Sequence, residues 1–152
     1  MGAALFYHVT RSNVETVVVQ LLTRALAQGW QVELRGASAE RMEWFDRQLW
    51  HLPGEDSFLP HGLAGGPHDA RQPVLLTATP RGEGRQAVMS VDGADVAPAE
   101  LDAHERVWIL FDGQSPEALS RARLQWKGFT AAGAKAQYWS EESGRWEKKA
   151  ES

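Results

Sequence analysis

Apolar residues in this chain fall into short runs that alternate between two periods. Ala3 to Val9 is a nearly continuous apolar run with Phe6 and Tyr7, stopped by Thr10-Arg11-Ser12-Asn13, and it predicts a buried strand. Val14, Val17, Val18, Leu21, Leu22, Ala25 and Leu26 then recur at helical intervals until Gly29, with Ser12 and Glu15 at capping-box spacing. Gln31 to Arg35 alternates polar and apolar side chains as a second strand. A helix is expected from about Ala39 to Trp50, capped by Ser38. The opening is therefore strand, helix, strand, helix.

Periodicity is lost from His51 to Gln72, a loop long enough to suggest function. Pro73 to Thr79 and Gln86 to Val91 read as strands joined by a turn at Pro80 to Arg85, and the pair suggests a hairpin. Ala97 to His104 suits one short helix, and Arg106 to Phe111 is the strongest central strand. Ser115-Pro116-Glu117 combines a capping residue, proline at the first helical position and an early acid, which predicts a helix ending near Gly133. Lys135 to Trp139 is the last expected strand. The expected fold is α/β, a single-domain Rossmann-like three-layer sandwich over residues 1–140. Its sheet is largely parallel and partly mixed, and residues 141–152 form a charged, flexible C-terminal tail.

Composition removes several chemistries. The 152 residues contain no cysteine, so disulfides, thiolate metal sites and cysteine nucleophiles are excluded. No apolar run approaches the roughly 20 residues needed to span a bilayer, and the first residues lack the pattern of a secretory signal, so a cytoplasmic protein is expected. A nucleotide-binding α/β protein needs a glycine-rich turn between its first strand and first helix, and Thr10 to Asn13 has no glycine. Neither G-x-x-x-x-G-K-[ST], G-x-G-x-x-G nor G-x-S-x-G occurs. The histidines form no H-x-x-x-H pair; His61, His68 and Asp69 are the residues that could meet at a metal if the long loop brought them together.

Charge singles out one segment. The chain is formally −4, yet between Gly113 and Trp139 four cations, Arg121, Arg123, Lys127 and Lys135, face the single acid Glu117. On a helix Arg123 and Lys127 are i,i+4 neighbours and Trp126 lies i+3 from Arg123, so two cations and an indole share one surface. That combination suits a carboxylate lying beside an apolar group. Leu119, Ala122, Trp126 and Phe129 also fit one apolar stripe, which would make Trp126 core and the cations a solvated face.

Several local patterns carry a resemblance. They are Phe6-Tyr7, Leu49-Trp50, Phe58-x-Pro60-His61-x-Leu63-Ala64-Gly65, and Arg123-x-x-Trp126-Lys127 followed by Ala132-Gly133. In this order and spacing the chain resembles the chi subunit family of bacterial DNA polymerase III, an accessory component of the clamp-loader assembly. The resemblance implies a non-enzymatic protein without a cofactor. It implies binding to the acidic C-terminal tail of the single-stranded DNA-binding protein, hence indirect association with single-stranded DNA. A psi-type subunit would link the chain to the clamp loader. The family's tail pocket maps onto Arg123, Trp126 and Lys127, with tryptophan here where the family commonly has tyrosine. Its psi contact maps onto Trp50 and Phe58. Two other functions compete: direct single-stranded nucleic-acid binding by the late helix, with Trp126 stacking on bases, and a metal-dependent enzyme built on His61, His68 and Asp69.

Overall fold

A computed structural model describes residues 2–52, 59–81 and 84–152. Its strands are β1 (Ala3–Val9), β2 (Val32–Arg35), β3 (Gly62–Leu63), β4 (Val74–Thr77), β5 (Ala87–Ser90), β6 (Arg106–Asp112), β7 (Lys135–Ser140) and β8 (Glu147–Glu151). The helices are α1 (Val14–Ala27), α2 (Ala39–His51) and α3 (Pro116–Ala131), with short 3₁₀ turns at Asp69–Arg71 and Pro98–Asp102. One sheet runs in the order β3-β4-β2-β5-β6-β1-β7-β8, and every pairing is parallel except β7 with β8. The expected α/β architecture with a largely parallel, mixed sheet is therefore present.

Strand alternation sorts side chains into two cores. Leu5, Trp108 and Leu110 face α1 and α2, which contribute Val18, Leu22, Phe45 and Leu49. Ala4, Phe6, Val107, Ile109 and Phe111 face the other way, toward Ala122 and Phe129 of α3. Because β1 and β6 are buried on both faces, they read as unbroken apolar runs, the mark of central parallel strands.

The hairpin expected between residues 73–79 and 86–91 does not form. β4 and β5 lie on opposite sides of β2, each parallel to it. Both strands are buried throughout, and they gain two covered faces as inner parallel strands. A crossover normally takes about a dozen residues or more and usually contains a helix. The short connection between Thr77 and Ala87 imitated a hairpin turn. It is anchored instead by the Arg81 N–H, which donates to Glu33 Oε1 at 3.1 Å.

Two end effects also differ from expectation. Asn13, not Ser12, caps α1: Asn13 Oδ1 accepts from the Thr16 N–H at 2.9 Å, while Ser12 is engaged by Glu141. The C-terminal stretch, expected to be flexible, returns as β8 along the free edge of β7. Trp146 anchors it with its ring 5.1 Å from Tyr7, edge to face. The charged residues of β8 suit an outer edge that must not pair further.

Candidate functional site: a basic, aromatic groove beside α3

α3 begins where the sequence predicts, with Ser115 Oγ accepting from the Ala118 N–H at 3.2 Å and Pro116 at the first helical position. It ends at Ala131, and Gly133 (φ 77) turns the chain into β7. Ala122 and Phe129 are buried against the sheet, which rotates Arg123 and Lys127 outward. Trp126 lies between these faces and is half-buried. Its ring packs edge-on to Phe6 at 5.3 Å and to Tyr138 at 6.1 Å. Phe6 and Tyr138 are paired residues of β1 and β7, so one indole spans two strands.

A groove of about 860 Å³ runs along this helix at the C-terminal ends of β1, β6 and β7, and Arg123, Trp126 and Lys127 all line it. Its floor is aromatic. His8 stacks on Phe111 with centroids 5.3 Å apart and rings 11° from parallel, and Tyr138 closes the floor 5.9 Å from each. The far wall comes from Thr10 and Arg11 after β1 and from Glu142 after β7, and Ala150 of β8, paired with Tyr138, extends the floor. Gly113 forms one end, where a Cβ would collide with the His8 imidazole and come within 2.8 Å of Thr10 Cγ2. Burial, and after it the Glu142 charge, pushes the Tyr138 phenol up, with Arg123 acting in the opposite sense. Tyr138, which lines the groove, carries a phenolic hydroxyl of the kind that tryptophan at position 126 lacks.

The cations of the late helix are unequal. Arg121 forms an ion pair with Asp95 and donates to the Gly93 carbonyl at 3.2 Å. No carboxylate among the described residues pairs with Arg123 or Lys127. A surface that holds two unpaired cations beside an apolar floor can accept a carboxylate next to an apolar side chain.

A second crevice, of about 680 Å³, lies on the other side of the β6–α3 turn, where the N-termini of α1 and α3 approach each other. This is the place where α/β proteins commonly bind phosphates. Here Glu15, Asp92, Asp112 and Glu117 line it, and its arginines are taken, Arg41 by Asp92 and Arg121 by Asp95. Such a lining repels a nucleotide.

The remaining sequence-predicted residues lie elsewhere. Trp50, on α2, is 53% exposed, with its ring 4.9 Å from His61. Leu52, just past the end of α2, and Leu63, on β3, are each 39% exposed. Phe58 is outside the described residues. His61 is buried, with Nδ1 2.6 Å from the Leu59 carbonyl and Nε2 3.0 Å from that of Asp46. The Asp69 carboxylate is occupied by the Gly65 and Gly66 N–H groups and by Arg81 at 2.6 Å. His61 and Asp69 are therefore committed to separate structural tasks. No group of three potential ligands among the described His, Asp and Glu residues is placed to hold a metal. No described helix is long and apolar enough to cross a membrane.

Sequence reasoning missed His8, Arg11, Phe111, Gly113 and Tyr138 as neighbours of the basic helix. The available signal was the short turn at Asp112-Gly113 after the strongest strand, since groups at the C-terminal ends of adjacent parallel strands converge. No curated protein matches the chain. The sequence model of the family described as DNA polymerase III chi subunit, HolC, matches residues 1–137, so the chain belongs to that family, whose members serve DNA replication as accessory subunits associated with the polymerase III holoenzyme and its clamp loader.

Proposed function

We propose that this chain is a replication adaptor that takes the acidic C-terminal tail of the single-stranded DNA-binding protein in the α3 groove. A psi-type subunit, seated on the apolar surface around Trp50, joins it to the clamp loader. The observation that carries the reading is the pairing of two uncommitted cations, Arg123 and Lys127, with an aromatic floor in a member of the chi family. An acidic peptide ending in an apolar residue needs charge-assisted hydrogen bonds beside a hydrophobic seat. Arg123 is the main anchor because a guanidinium captures a carboxylate through two parallel bonds. Lys127 supplies longer-range attraction. Direct nucleic-acid binding is less favoured, because two uncommitted cations are a small footprint for a polyanion.

The test is fluorescence anisotropy with a labelled tail peptide. Wild type saturates at low salt and weakens at moderate salt. Arg123→Ala lowers affinity about tenfold and Lys127→Ala about threefold. A wild type that fails to bind at low salt removes the central claim.

A further inference from the structure

The groove's far wall is held by an internal contact that resembles ligand binding. Glu141, the first residue after β7, is buried, and its Oε1 accepts three consecutive backbone N–H groups. Thr10 donates at 3.2 Å, Arg11 at 2.8 Å and Ser12 at 2.5 Å, and the Ser12 hydroxyl donates to Oε2 at 3.0 Å. Burial pushes the Glu141 carboxyl up, but these donors outweigh it and hold the group below the usual carboxylate range. The β1–α1 loop is where α/β proteins cradle an external anion. In this chain the anion is its own side chain.

The contact has geometric consequences for the groove. With the loop fixed, the Arg11 guanidinium reaches the Glu142 carbonyl through Nε at 3.0 Å and Nη2 at 2.8 Å. The Gly144 N–H closes the following turn on the Glu141 carbonyl at 2.9 Å and starts the chain back toward β8. Of the groove's lining residues, Thr10 and Arg11 belong to the loop that Glu141 holds and Glu142 to the turn that follows it, while Ala150 lies on β8 beside Tyr138. We propose that Glu141 is a latch that fixes the β1–α1 loop to the β7–β8 turn and thereby sets the groove's width for the acidic peptide. It is a positioning residue and touches no partner itself.

The peptide part of this proposal rests on the adaptor reading, so the test has two arms. Amide hydrogen exchange is followed at residues 10–12 and across β8, and the tail peptide is titrated, in wild type and in Glu141→Ala, Glu141→Gln and Glu141→Asp. The glutamine amide oxygen keeps the three N–H bonds without the charge, whereas aspartate keeps the charge but is one methylene too short. The alanine and aspartate variants exchange about tenfold faster at both segments and bind about fivefold more weakly, while the glutamine variant, which keeps the acceptor but loses the charge assistance, falls between them and wild type in both arms. Unchanged β8 exchange in the aspartate variant overturns the latch. Faster exchange with peptide affinity within twofold of wild type overturns its control of the groove. If wild type binds no peptide, the adaptor reading and the proposed control of peptide width both fall, and β8 exchange alone decides the mechanical link.

Discussion

Arg35, in the middle of the sheet, and Arg123, on the outer side of α3, show the same residue type put to opposite uses. Arg35 is 1% exposed. Its Nε and Nη2 bond Glu33 at 2.9 and 3.2 Å, and Nη2 and Nη1 bond Glu100 at 2.8 and 3.1 Å. A further bond from Nη1 reaches the Asp95 carbonyl at 3.0 Å. Glu33 is completed by the Thr77 hydroxyl at 2.6 Å. Glu33 and Arg35 point away from the core shared by Val32 and Leu34, onto the same side of the sheet as α3, where the 3₁₀ turn carrying Glu100 bonds Arg35. Arg123 has an apolar groove on one side, water on the other and no carboxylate partner among the described residues. A saturated guanidinium specifies the fold, and an unsaturated one is left for a partner.

The largest expected effect breaks the first half of that contrast. Arg35→Met leaves Glu33 buried without its counter-charge and lowers stability by about 3–5 kcal/mol, read from urea unfolding. Replacing Glu33 as well, Glu33→Met with Arg35→Met, recovers about half of that loss, because the fully buried carboxylate is gone and only Glu100, which is partly exposed, loses its partner. Arg123→Ala in the same measurement changes stability by no more than about 0.5 kcal/mol. A large loss there would show that Arg123 also belongs to the structure.

A smaller effect separates two cations on one helix. Arg121 and Arg123 contribute equally to the basic window in the sequence, but Asp95 and Gly93 already hold Arg121. Arg121→Ala is therefore expected to change tail-peptide affinity by less than about twofold, against about tenfold for Arg123→Ala. Equal losses would mean that net charge, not the groove, attracts the peptide.

Local pattern made much of the fold legible. The Ser38 and Ser115 caps, the Gly133 stop and the runs of β1 and β6 depend on neighbours in sequence, and each lies where the pattern puts it. The grouping of Arg123, Trp126 and Lys127 on one surface needed only helical spacing. Long-range pairing was illegible. That β4 and β5 flank β2 follows from burying both faces of each strand, which their short connection does not encode. Ser12 was a plausible cap until Glu141, far along the chain, claimed its hydroxyl and N–H. His8 and Tyr138 joined the site only through strand register, which sets His8 beside Phe111 and Tyr138 beside Phe6. Trp146 carried the signal for the last strand, an apolar residue in a charged stretch.

The smallest effect concerns Glu142, the one acid among the described residues that line the groove. Glu142 is 62% exposed at its side chain, with Oε1 3.6 Å from His8 Nδ1, opposite Arg123 and Lys127. Its neighbour Glu141 is consumed by the β1–α1 loop, so adjacent carboxylates divide as the arginines do, one fixed and one available. An available acid in a groove for an acidic peptide opposes binding. Glu142→Gln keeps the backbone carbonyl that Arg11 uses, and removes only the charge. Tail affinity should rise about twofold at low salt, and the gain should disappear as salt screens the groove. A loss of affinity would instead show that Glu142 orders the His8 ring beneath the peptide, which would make the acid part of the seat.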